Sequence, residues 1–101
     1  MWALLGSEPP RGFDLDAGWD LHPQAAVRPE PFGALLYHFG TRKLSFVKDH
    51  TLLAVIEALT DHPSARAALV AAGVADVDLP RFVAALAGLM RSDMIVERRP
   101  R

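Results

Sequence analysis

The hydrophobic period of this chain changes once, and the change falls at Asp49. Upstream, from Phe32 to Phe39, large apolar and aromatic residues follow one another, with Leu35, Tyr37 and Phe39 on one face and Leu36 and His38 on the other. Downstream, Leu52, Val55, Ile56 and Leu59 recur at i, i+3, i+4 and i+7. A period of two belongs to a strand and a period of 3.6 to a helix. The order is therefore strands first and helices after, which is the signature of an α+β domain.

The strand half resolves into three segments. Ala25 to Arg28 is short and closes at Pro29-Glu30-Pro31, and a residue without an amide proton marks a strand end or a sheet edge. Phe32 to Phe39 is apolar on both faces, which predicts a central strand with its second side covered. Gly40-Thr41-Arg42 reads as a hairpin turn, and Leu44 to Lys48 as the third strand, with Leu44 and Phe46 on one face and Ser45 and Val47 on the other. Together they predict a three-stranded antiparallel meander over 25–48.

The helical half covers 49–92. Asp49 is placed to cap the first helix, which ends near Thr60 before Pro63. Ser64 opens a short second helix that stops at Gly73, and Asp78 precedes a third helix with the apolar stripe Leu79, Phe82, Val83, Leu86, Leu89 and Met90. Met94 to Val96 fits either an extension of that helix or a short strand. Helices two and three outline a helix-turn-helix with the hairpin as a wing, so the expected architecture is winged-helix-like. One domain over 13–97 is flanked by a flexible tail, 1–12, and a basic tail, 98–101. Within it, 13–23 is read as an extended arm packed through Phe13, Leu15, Trp19 and Leu21.

Much chemistry is excluded. The chain has 101 residues, enough for one modest core but not for a deep water-excluding site, and no cysteine, which removes thiol catalysis, disulfides and zinc fingers. A disulfide-free small domain fits the cytoplasm. No apolar run spans a membrane, and no signal peptide precedes the domain. His22, His38, His50 and His62 lack metal-ligand spacing, no phosphate-binding loop occurs, and Ser7, Ser45, Ser64 and Ser92 have no nucleophile setting. Asp76 and Asp78 read as helix caps, and Asp14 and Asp16 as solvation of the arm. No enzyme is expected, and no cofactor or metal. The net charge of −1 argues against a life on nucleic acid, as does a third helix offering only Arg81 and Arg91 between Pro80 and Ser92.

What remains is a sheet edge, a row of backbone donors and acceptors to which an extended peptide can add. If the third strand lies beside the third helix, Leu44, Ser45, Phe46, Val47 and Lys48 form one wall of a cleft and Phe82, Leu86, Leu89, Met90 and Arg91 the other. Arg42, Lys43, Lys48 and Arg91 would give it a positive rim suited to an acidic peptide. Against this stands the plain reading that the helix stripe is core. A winged-helix DNA binder and a structural dimerisation module are the alternatives, the latter with strand exchange around Pro29-Glu30-Pro31.

The run Leu21-His22-Pro23, then Val27 to His38 with Arg28-Pro29-Glu30-Pro31-Phe32-Gly33, then Phe39-Gly40-Thr41-Arg42-Lys43-Leu44-Ser45-Phe46, resembles the peptide chaperone family of the mycofactocin biosynthetic system. The likeness covers about residues 13–96 and is most specific over Arg28 to Phe46. That family is similar to the PqqD-like recognition elements for ribosomally made, modified peptides, small winged-helix domains that hold a precursor's leader. The resemblance implies a non-catalytic chaperone that binds the mycofactocin precursor peptide, through the third strand and third helix, and presents it to a radical S-adenosylmethionine maturase. It implies no cofactor; from the residues themselves, no nucleic acid or membrane partner is expected, and a monomer or a weak or domain-swapped homodimer is. Tyr37, His38, Arg42 and Lys43 are then candidates for the surface that meets the maturase.

Overall fold

The computed structural model describes residues 12–98. The expected tail residues 1–11 and the basic residues Arg99 and Arg101 lie outside them. Three strands, β2 (Ala25–Glu30), β3 (Gly33–His38) and β4 (Leu44–Val47), form an antiparallel sheet in that order. The helices α1 (His50–Ala58), α2 (Ala65–Ala71) and α3 (Leu79–Arg91) follow, as the period change at Asp49 requires. β1 (Trp19–Leu21) and β5 (Ile95–Glu97) make a second, two-stranded sheet.

The helix ends obey the local chemistry. The Asp49 carboxylate accepts the amides of Thr51 (2.8 Å) and Leu52 (3.2 Å), and the Ser64 hydroxyl accepts the amide of Ala67 (3.1 Å). At the end of α2, Gly73 takes a left-handed φ of +81°, which lets its amide reach Val70 and the Val74 amide reach Leu69. Asp93, at φ +60°, closes α3 in the same way. Asp78 departs from expectation. It stands at the start of α3 without a capping hydrogen bond from its side chain, and lies instead 3.7 Å from the Arg81 guanidinium.

The core fills the space between the inner face of the three-stranded sheet and the helices. Leu36 and Val47 from the sheet meet Val55, Ile56 and Leu59, then Leu69, then Phe82, Leu86 and Leu89. Trp19, Met94 and Ile95 close it from the small sheet. The arm over 13–23 does pack on the body: Trp19 is part of the core, Phe13, Leu15 and Leu21 lie against it, and the Ala65 and Arg66 amides at the start of α2 donate to the Ala17 and Leu15 carbonyls at 3.0 and 2.9 Å. It also becomes a strand at Trp19–Leu21, which settles Met94 to Val96 as its partner rather than as helix. β2 runs on through Pro29 to Glu30, two residues past the predicted closure.

One expectation fails. The outer face of β3 is not covered among the described residues. Phe39, Leu44 and Phe46 are exposed, the last at 63%. Helices follow the sheet in sequence, but all three pack on the inner side, so the apolar outer residues answer to something other than the core.

Candidate functional site

The two edges of the three-stranded sheet differ. His38 donates its amide to the Lys43 carbonyl at 3.0 Å, which makes these two a hydrogen-bonded pair. Alternation along the β3–β4 register then turns the amides of Ser45 and Val47 toward β3 and those of Leu44, Phe46 and Lys48 outward. No described backbone group takes up those three. On the other side, the Phe39 amide bonds to Gln24, so Ala25, Val27 and Pro29 face outward from β2. Of these, the Ala25 amide is consumed by the His22 carbonyl at 2.8 Å and Pro29 has none to give. β4 therefore offers three outward amides and β2 one, that of Val27.

The first turn of α3 is tethered to the end of β4. Arg81 donates to the Asp49 carboxylate at 3.3 Å, one residue past Lys48, and its guanidinium lies 4.7 Å from the Phe82 ring centre. Burial pushes the Asp49 carboxyl up, but the Leu52 and Thr51 amides and Arg81 outweigh it and hold the carboxyl below its ordinary value.

The structure sorts the residues singled out by sequence. Leu44, Phe46 and Lys48 are exposed at the edge, Ser45 is half-buried and Val47 is buried. On α3, Phe82, Leu86 and Leu89 belong to the core, Met90 is half-buried and Arg91 is exposed. The helix stripe is thus committed to packing over most of its length. Tyr37 is half-buried on the outer sheet face, and Arg42 and Lys43 are exposed in the turn, Arg42 at φ +66°.

His38 does not stand with them. Only 3% exposed, it points inward, and its Nδ1 accepts the amides of Gly40 and Thr41, both at 3.0 Å. Two donors on Nδ1 put the ring proton on Nε2, which is buried without a partner. The ring lies 4.3 Å from that of His22, whose own Nδ1 accepts the Gln24 amide. Both rings are spent on holding turns, and no group of three or more metal-ligating side chains occurs among the described residues.

Two features escaped the sequence reading. One is the difference between the edges, for which Pro29 was the available signal. The other is Arg98, expected in the basic tail over 98–101, which donates to Trp19, Leu59, His62 and Asp20.

The sequence pattern of the peptide chaperone MftB family matches residues 18–96. The chain belongs to this family. Over 106 aligned positions it is 54% identical to the peptide chaperone MftB of Mycobacterium tuberculosis, covering 97% of each chain. It is 59% identical to the Mycolicibacterium smegmatis protein of that name, over 87% of this chain and 86% of the relative. For the Mycobacterium ulcerans protein the identity is 61%, over 83% and 77%. No solved structure matches the chain. The family role is that of a peptide chaperone in mycofactocin biosynthesis, a non-catalytic one. The architecture, a three-stranded antiparallel sheet with three helices, fits the PqqD-like fold. No described helix is long and apolar enough to cross a membrane.

Proposed function

We propose that this chain binds the mycofactocin precursor peptide by strand addition at β4, in the cytoplasm, and delivers it to a radical S-adenosylmethionine maturase. The observation that carries the reading is the inequality of the two edges. A peptide laid along β4 meets the amides of Leu44, Phe46 and Lys48, whereas β2 is stopped by Pro29 and by the His22–Ala25 hydrogen bond. The cationic side chains of Arg42, Lys43 and Lys48 stand exposed beside it and favour an acidic peptide. On α3, the accessible candidates for contact are Met90 and Arg91. Phe82, Leu86 and Leu89 act from within the core by fixing the helix.

The mechanism is tethering. The peptide orders on binding, which costs conformational entropy, and the complex brings its reacting end to the maturase at raised local concentration. The chaperone supplies no reacting group.

The test is an amide-resolved NMR titration with the precursor peptide. Shifts concentrated on Leu44 to Lys48 and on Phe82 to Arg91 of α3 are expected. Shifts confined to β2, or none at several hundred micromolar peptide, would refute strand addition at this edge.

A further inference from the structure

We infer that the outer face of the three-stranded sheet is a second docking surface, adjoining the peptide edge and sharing its cationic rim, for a protein partner that presents apolar side chains among carboxylates. The inference rests on the delivery reading, since the partner it commits to is the maturase.

Residues opposite one another in an antiparallel pair share a face. The pairs Leu35–Phe46 and Tyr37–Leu44 therefore place all four side chains on the outer side of β3 and β4, and alternation adds Phe39. Phe32, at the β2–β3 turn, sets its ring 6.1 Å from that of Phe46, and Tyr37 and Phe39 meet edge to face at 5.0 Å. Of the six large apolar residues exposed in the described chain, Phe32, Phe39, Leu44 and Phe46 are on or beside this one face. A chain of this size that lived alone would scatter such residues or bury them.

Charge narrows the occupant. Glu30, the one carboxylate that the register puts on this face, is already paired with Arg28 at 3.0 Å. Lys48, on the same face by alternation, and Arg42 and Lys43 in the turn at its end have no ion-pair partner among the described residues. An apolar centre with an uncompensated positive rim is complementary to an acidic, partly apolar protein surface. A second copy would bring like charges together. Three cations, each worth about 1 kcal/mol at an anionic bilayer, fall short of a stable membrane anchor. The precursor peptide itself takes the edge, and a single added strand leaves Phe32, Tyr37 and Phe39 open.

The test uses the full chain with Phe32→Ser and Phe39→Ser combined, since neither residue belongs to the peptide edge. Binding to immobilised, purified maturase is measured alongside peptide titration and a melting curve. The expected result is at least a tenfold loss of maturase affinity, with peptide affinity and melting temperature unchanged, and a wild-type affinity that falls as salt rises. Unchanged maturase binding by the double variant would overturn the inference. So would a wild-type dimer that the variant dissociates, or binding to vesicles of one part anionic to four parts neutral lipid that the variant abolishes. If the wild type binds peptide but no maturase, the delivery reading fails and this surface loses its occupant. If it binds maturase but no peptide, only the strand-addition reading fails.

Discussion

Arg98 donates through Nη2 to the Trp19 carbonyl at 2.8 Å and the Leu59 carbonyl at 2.9 Å, and through Nη1 to the His62 carbonyl at 3.2 Å. It also pairs with Asp20 at 3.0 Å. The guanidinium fork thus satisfies carbonyls at the end of the first helical segment while it holds β1 beside them. A third of the side chain remains in solvent, so we discount the electrostatic share and expect Arg98→Ala to cost about 1–2 kcal/mol in urea unfolding. Lysine, with one point charge for a planar fork, should restore only part of it. The Arg98 hydrogen bond also holds the Asp20 carboxyl below its ordinary value. The native state therefore favours the ionised form. Its contribution is complete above the unfolded carboxylate value of about 4 and is lost as pH falls through the lower, folded one. Melting curves from pH 3 to 7 should show Asp20→Asn losing less stability on acidification than the wild type, with the two converging at the acid end.

β4 is an element whose successive residues do opposite jobs. The Val47 amide serves the ladder to β3 and the Phe46 amide faces outward. Val47→Pro should break the ladder beside a buried side chain and cost about 2 kcal/mol or more in stability. Phe46→Pro should leave the β3 ladder intact and weaken precursor-peptide binding about tenfold relative to Phe46→Ala, which keeps the amide. Leu86→Asp, by contrast, places a carboxylate at a fully buried site and should unfold the domain, visible by circular dichroism. The sequence made the element types readable because period and capping are local: Asp49, Ser64 and Gly73 each announce a boundary. It could not show that Trp19–Leu21 pairs with Ile95–Glu97, since that contact joins distant parts of the chain and leaves no local pattern. Nor could it divide the α3 stripe between core and ligand. Leu86 and Met90 are both apolar and one turn apart, and only the packed helix shows that the first is buried and the second half-open. The uncovered outer face of β3 eludes the sequence for a related reason. An apolar side chain reports what it avoids, and water-avoidance is the same signal whether the cover is another helix or a partner.

At the scale of the whole molecule, the helices and the small sheet crowd one side of the three-stranded sheet and leave the other bare. Under the two proposals made above, the edge takes one ligand and the bare face the other. The edges themselves carry a further consequence. Open-ended stacking of sheets into filaments needs two receptive margins on every unit, one to receive and one to offer. Here Pro29 and the His22–Ala25 bond leave the β2 margin a single outward amide, that of Val27, against three on β4. Pro29→Val should restore a donor there and raise the apparent mass with concentration in analytical ultracentrifugation, while the parent stays constant. Under the strand-addition proposal, a proline in an edge strand thereby sets a stoichiometry: one chaperone, one guest strand, and no growth beyond it.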